Sequence, residues 1–212
     1  MVKAIIFDMD GVLFDTEPFY LNRRQQFFDE HAISINHLSA SDFIGGNLQH
    51  IWKDLLSKHY QSEQAKAVSD AYDAYKKRHL VPYCDLLFPN VKQTLAKLKE
   101  DAISLVLASN SSRTDIEQAL ESCHLKEYFT FVLCAEDVSH PKPAPDIYLK
   151  AKQLLELEKQ DIWVIEDSQK GILAAKNAGY KVFAIKDTRY GIDQSQADQL
   201  IDAVEQIIDY LI

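Results

Sequence analysis

The chain has 212 residues, 47% of them hydrophobic, which is enough for one sizeable core or for a core and a small second lobe. Its formal net charge is −9, and no basic run is longer than Lys76-Lys77-Arg78. That cluster reads as the solvated face of a helix, so the stripe that nucleic-acid binding needs is missing.

In chain order, Ala4-Ile5-Ile6-Phe7 is a short apolar run of strand length. From about Glu17 to Leu80 no strand pattern follows. Phe27-Phe28, Ile51-Trp52, Leu55-Leu56, Ala67-Val68 and Ala71-Tyr72 mark helices instead, with Gly45-Gly46 as punctuation. Val81-Pro82-Tyr83 reads as the linker leading back. Val91, Leu95 and Leu98 then recur at helical spacing, with Pro89 and Asn90 at the start. A strand over 103–108 follows, then a helix through Ile116, Ala119 and Leu120 with Ser112 as N-cap. A strand over 131–135 precedes a helix through Ile147, Leu149, Ala151 and Leu154. The strand 162–165 precedes a helix through Ile172, Ala175 and Ala178, closed by Gly179. A last strand covers 181–185. The runs are apolar with little alternation, as in strands buried on both faces. The expected architecture is α/β: a doubly wound, mostly parallel, Rossmann-like sheet with a small inserted all-helical cap. The core takes residues 1–16 and 82–212, and the cap 17–81.

Chemistry gathers where these strands end. Asp8 and Asp10 follow the first, Ser109-Asn110 the second, Glu136-Asp137 the third and Glu166-Asp167 the fourth. Ligands of open α/β sheets bind outside the carboxyl ends of the strands. Carboxylates crowded there repel unless some are protonated or a hard cation joins them, and Mg2+ is the usual cation beside phosphates. An EF-hand loop is excluded because Val12 and Leu13 stand where it needs Asp or Asn and then Gly. G-x-S-x-G, the P-loop and G-x-G-x-x-G are all lacking, which leaves a carboxylate nucleophile working with a metal.

Phe7-Asp8-Met9-Asp10-Gly11-Val12, Ser109, Lys142 within Pro141-Lys142-Pro143-Ala144-Pro145-Asp146, and Glu166-Asp167-Ser168 with Gly171 and Ala174-Ala175 stand in order along the chain. Together they resemble the four motifs of the haloacid dehalogenase-like superfamily, and the helical insertion is similar to the cap of its β-phosphoglucomutase and phosphatase subgroup. The resemblance implies that Asp8 attacks phosphorus and forms an aspartyl-phosphate. Asp10 would be general acid and then base. Ser109, with the amides of Asn110 and Ser111, would hold the phosphoryl oxygens, and Lys142 would neutralise charge on them. Asp8, Asp10 (through its carbonyl), Glu166 and Asp167 would bind magnesium. Asp10 also argues against the dehalogenase branch.

Simpler readings exist for each residue. Asp8 and Asp10 suit a strand-end turn, Ser109 an N-cap, Lys142 a solvated lysine and Glu166 an acid behind the ligands. Glu136 and Asp137 read as loop residues, and His124 and His140 as surface groups. Cys84, Cys123 and Cys134 form no Cys-x-x-Cys pair and read as idle thiols.

The acceptor is the open question. Relative to the mutases, Tyr20 stands in place of a histidine, and Gly45-Gly46-Asn47-Leu48 lacks their sugar-phosphate arginine. Thr16 and Lys77 match. Losing a bidentate clamp favours a phosphatase of a small phosphorylated metabolite such as a sugar phosphate. Arg23, Arg24 or Arg113 would have to supply the missing charge for a phosphoglucomutase. A non-catalytic binding protein on this fold is disfavoured because no core motif residue is degraded. With no apolar run of about 20 residues and no leader-like start, a monomeric, soluble, cytoplasmic protein is expected, with no nucleic-acid or membrane partner.

Overall fold

A computed structural model describes residues 2–34, 43–44 and 62–211, with only the backbone for 62–65. The expected features at 35–42 and 45–61, including the loop without arginine and the pairs Ile51-Trp52 and Leu55-Leu56, lie outside the described residues.

Six parallel strands form one sheet in the order β3-β2-β1-β4-β5-β6. They are β1 (Ala4–Phe7), β2 (Ser104–Ala108), β3 (Phe131–Leu133), β4 (Ile162–Glu166), β5 (Lys181–Ile185) and β6 (Gln199–Ile201). β1 lies between β2 and β4, with Phe7 level with Leu107 and Ile165. The chain reverses its direction of travel across the sheet at β1, so the crevice lies beyond Asp8, beside the ends of β2 and β4.

Each side of the sheet carries its own core. Ile5 and Phe7 point into one, with Leu95, Leu98, Ile116 and Leu120 of α4 (Val91–Glu100) and α5 (Arg113–Ser122). Ala4 and Ile6 point into the other, with Ile147 and Ala151 of α6 (Asp146–Leu155) and Ile172 and Ala175 of α7 (Gln169–Ala178). The four residues of β1 are fully buried, which is why the run does not alternate. A third apolar cluster lies apart from the sheet. Phe27 and Phe28 of α1 (Glu17–Glu30) meet Phe43 and Tyr72 and Tyr75 of α2 (Ser62–Arg78).

The caps follow local chemistry. Ser112 Oγ accepts the amide of Asp115 at 3.2 Å, and Ser168 Oγ accepts that of Gly171 at 3.1 Å. Gly179 closes α7 in the left-handed region, at φ 86°. Asn90 does not cap α4. It has φ 63°, and its side chain donates to Glu205 Oε1 instead. Strand β6 escapes the sequence reading because it is a three-residue edge with Gln199 and Leu200 exposed. The third strand ends at Leu133, because Cys134 and Ala135–Asp137 turn away as a single 3-10 turn. Between α2 and α4 lies a short helix, α3 (Tyr83–Leu86), and its Cys84 thiol meets that of Cys123 with the sulfurs 2.7 Å apart. No described helix is long and apolar enough to cross a membrane.

Candidate active site

Asp8 leaves the end of β1 with its amide bonded to the Ile165 carbonyl at 2.9 Å. That bond continues the sheet ladder one residue past the strand and aims the carboxylate over the sheet edge. Lys142 approaches from the loop before α6. Its Nζ donates to Asp8 Oδ1 at 2.6 Å, to Glu166 Oε1 at 2.5 Å and to the Ala108 carbonyl at 2.8 Å. All three ammonium protons are therefore engaged, in a site where the lysine is 5% exposed. Burial works against the ammonium, yet Asp8 and Glu166 outweigh it and hold the pKa above the usual lysine range. Lys142 is thus a buried, fixed charge, and the solvated-lysine reading fails.

Asn110 keeps this lysine in place. Its Nδ2 donates to the Lys142 carbonyl at 3.1 Å, and its Oδ1 accepts the Lys142 amide at 3.0 Å. The Asn110 side chain is therefore a clasp for the lysine loop, a role that its motif position did not suggest.

Asp10 sits in different surroundings. Oδ1 accepts from Thr16 Oγ1 at 2.6 Å and from the Tyr20 hydroxyl at 3.1 Å, while Oδ2 accepts from Ser111 Oγ at 2.6 Å. Burial raises its pKa, opposed by those three donors. Burial also pushes Asp8 up to about 8, with Lys142 pulling the other way and Glu166 adding to the rise. The Tyr20 phenol is raised by burial and by Asp10, so it stays a donor.

Glu166 is fully buried at the end of β4. Oε1 accepts from Lys142 and from the Tyr148 hydroxyl at 2.5 Å, and Oε2 accepts from the Asp167 amide at 3.2 Å and Ser168 Oγ at 3.3 Å. Tyr148 was missed in the sequence, where it is one more ring in an apolar helical stripe. Two glycines make room for the acids. A Cβ on Gly171 would lie 2.0 Å from Glu166 atoms, and one on Gly11, at φ 80°, would lie 2.0 Å from Asp167 Oδ2.

Oxygens of Asp8, Glu166 and Asp167 lie within 4.8 Å of one another. Burial, then Asp8 and Glu166, drive the Asp167 carboxyl well above the carboxylate range. Asp8 and Glu166 are buried and Asp167 is half-buried, and these three acids beside the single charge of Lys142, all offering oxygen, fit a hard divalent cation.

Ser109 is buried, and its Oγ accepts the Ser111 amide at 3.1 Å. Ser109, Asn110 and Ser111 border a cavity of about 450 Å³ that also reaches Tyr20, Arg23 and Arg24 of α1. Lys77 does not border it: its side chain is exposed on α2, and Lys76 faces the cavity instead. One residue turns a helical side chain by roughly 100°, so a match off by one lands on another face. Arg113 is held by Asp137 at 2.5 Å, and Glu136 accepts the Arg113 amide. Those two acids fasten a loop, as the sequence suggested. His140 is exposed against Asp146.

Residues 5–185 match a family model described as haloacid dehalogenase-like hydrolase. A phosphorylated carbohydrates phosphatase from Thermotoga maritima is 29% identical over 84% of this chain and 82% of its own length. A pyrophosphatase from Bacillus thuringiensis is 25% identical over 99% of this chain and 96% of its own. The crystal structure of β-phosphoglucomutase from Clostridium difficile shares the fold, with a TM-score of 0.82 at 21% identity over 100% of this chain and 96% of that one.

Proposed function

This chain belongs to the haloacid dehalogenase-like hydrolase family, and on that premise we propose that it is a magnesium-dependent phosphatase of a small phosphorylated metabolite, such as a sugar phosphate, working through an aspartyl-phosphate. The observation that carries this reading is the contrast between two carboxylates two residues apart. Asp8 is held by the Lys142 charge, whereas Asp10 is held by three hydroxyls. Such a division of environments separates a nucleophile from an acid-base group.

Asp8 attacks phosphorus, and the P–O bond to the leaving alcohol breaks. Asp10, in its protonated form, gives its proton to that oxygen. In the second step Asp10 takes a proton from water as the water oxygen attacks phosphorus, and Asp8 leaves as carboxylate. Ser109 and the amides beside it hold the phosphoryl oxygens, and Lys142 offsets their charge. Positioning and charge stabilisation are the main contributions in such transfers.

Asp8 and Asp167 side chains, with the Asp10 carbonyl, would hold Mg2+. When bound, the ion supplies Lewis-acid neutralisation of the phosphoryl oxygens. Both oxygens of Glu166 already accept from protein donors, so its part is to orient Lys142 and Asp167 and add charge. Residues 17–81 act as the cap, with 1–16 and 82–212 as the catalytic core.

The test is a phosphate-release screen over phosphorylated sugars and nucleotides with Mg2+. It includes β-glucose 1-phosphate with a linked assay for glucose 6-phosphate. Steady phosphate release, lowered about 10³-fold or more in Asp8→Asn, is the expected result. Glucose 6-phosphate formation with little free phosphate would establish the mutase instead. That alternative gains from the placement of Arg23 and Arg24 on the cavity wall.

A further inference from the structure

Two of the three cysteines meet outside the acid cluster. Cys84 is exposed on α3. Cys123 is buried at the C-terminal end of α5, where its amide bonds the Ala119 carbonyl at 3.3 Å. They stand 39 positions apart in the chain, yet both are free thiols with their sulfurs 2.7 Å apart. A disulfide has its sulfurs about 2.05 Å apart, so joining these two takes less than about 1 Å of movement. They are too close to share a metal instead, because two thiolates on a tetrahedral zinc, each at about 2.3 Å, stand about 3.8 Å from each other.

The two sulfurs differ in access. Cys84 faces solvent, so an oxidant reaches it first. Cys123 is 7% exposed, and burial pushes its thiol up to about 11, with the contact to Cys84 adding to the rise. It is a poor first attacker but is well placed as the second, because its target sulfur is already in contact. Cys134 is the contrast within the same chain. It is fully buried, and its thiol donates to Asp137 Oδ2 at 3.1 Å, so its partner is a carboxylate and not a second sulfur.

The place of the pair gives a bond there something to hold. Helix α3 is a single turn of four residues, too short to be stable by itself. Its neighbours hold it. It packs on α5, and its Leu86 carbonyl accepts the Asp15 amide at 2.7 Å. Tyr83 sets its ring edge against Phe14, with centroids 5.4 Å apart, and its hydroxyl lies 3.4 Å from that of Tyr20. This one turn therefore joins the chain returning from α2 to the segment that leaves β1. Cys123 belongs to the core on one side of the sheet, so a covalent link to it would fasten that junction to the sheet.

We propose that Cys84 and Cys123 are a redox-active pair, which a small disulfide oxidant converts reversibly to an intrachain disulfide that pins α3 to α5. The Cys84 thiolate attacks one sulfur of the oxidant, whose S–S bond breaks and releases one thiolate. The Cys123 thiolate then attacks the Cys84 sulfur, the mixed S–S bond breaks, and the second thiolate leaves. The protein gives up two electrons and two protons, and the oxidant becomes two thiols. A dithiol reductant runs the same steps backwards. In a reducing compartment such pairs are transient and respond to oxidant. None of this depends on the phosphatase reading.

The experiment incubates the whole chain with oxidised glutathione at about pH 8, counts free thiols after denaturation and maps a non-reduced digest. The wild type should go from three free thiols to one, with a peptide joining Cys84 to Cys123 and Cys134 alone left to label. Dithiothreitol should restore all three. Cys123→Ser should stop at a mixed disulfide between glutathione and Cys84, and Cys84→Ser should keep both of its thiols free. Closing an interval of 39 residues constrains the unfolded chain, so the oxidised wild type should melt about 5–10 °C higher than the reduced, with no such rise in Cys84→Ser. Amide exchange over Tyr83–Leu86 should also slow in the oxidised form. Three thiols still free would overturn the proposal, as would a lasting glutathione adduct on wild-type Cys84 or a disulfide between two chains. A joined pair with melting and exchange both unchanged would overturn the pinning of α3. The thiol count and the digest need only the wild type, so the folding of neither variant decides the outcome.

Discussion

Glu166 and its donors show how a buried charge is held in this fold. Four hydrogen bonds meet its two oxygens, and its burial is complete. Removing one donor leaves part of a buried carboxylate unmet, which costs more than the bond contributed on average. Tyr148→Phe should therefore lower stability by about 1–3 kcal/mol. A thermal melt would show this as a midpoint lower by about 3–10 °C. A midpoint equal to that of the wild type would mean that the tyrosine hydroxyl does not support the acid. The acid itself was legible in the sequence as the end of an apolar run, but Tyr148 was not. A tyrosine at a core-facing helical position is ordinary packing until the strand opposite is known to end in a carboxylate.

Between β5 and β6, a loop braces the edge of the site. Gln194 Nε2 donates to the Asp167 carbonyl at 2.6 Å and to that of Ile185 at 2.7 Å. Arg189 reaches Asp15 with two bonds, at 2.6 and 3.0 Å. Asp187 organises the loop by accepting the amides of Arg189, Tyr190 and Ile192 at 2.9, 3.0 and 2.8 Å. Burial alone would raise its carboxyl, but these amides outweigh it and hold the pKa below 3.8. A folded-state pKa below the unfolded one means that the unfolded chain binds the proton more readily. The stabilisation is thus full above about pH 4 and is lost as pH falls through the lower folded value. In denaturant titrations, the advantage of the wild type over Asp187→Asn should be present at pH 6 and shrink as the pH falls below about 4. An advantage that does not change with pH would rule out the ionised form as its source.

At the scale of the molecule, two couplings are expected. Two buried acids and a half-buried one around one lysine are a crowded set of charges that a divalent cation relieves, and a ligand bound to the folded state alone stabilises it. Mg2+ at about 100 times its dissociation constant should add about 2.7 kcal/mol. The added stability should be readable as a raised thermal midpoint that a chelator reverses, and that Asp167→Asn lacks. No rise with Mg2+ would remove Asp8 and Asp167 as its ligands. The second coupling is closure. The chain crosses between the sheet and the helices of the third apolar cluster near Thr16 to Pro18 and Val81 to Tyr83. In this structure Thr16 Oγ1 bonds Asp10, which ties the first crossing to the site, and Arg23 bonds the His79 carbonyl, which ties the chain before the second crossing to α1. Solution scattering with and without a phosphate analogue should show a more compact form when the analogue is bound. Identical profiles would mean that the two lobes do not move.

The sequence by itself determined the strand-helix rhythm and the acids at the strand ends. Both are local: an apolar run buried on two faces needs no partner to be recognised, and the residue that follows it must leave the sheet at its carboxyl edge. Ser112, Ser168 and Gly179 were legible for the same reason, because a helix end is satisfied within a few residues of chain. Only the tertiary structure decided that Asn110 clasps Lys142, that Tyr148 supports Glu166, and that Lys76 rather than Lys77 borders the cavity. It likewise left Arg24 Nε and Nη2 buried with no hydrogen-bond partner among the described residues. Those facts depend on which side chain meets which across separate elements, and burial without a partner is a property of the packed molecule that no stretch of sequence carries.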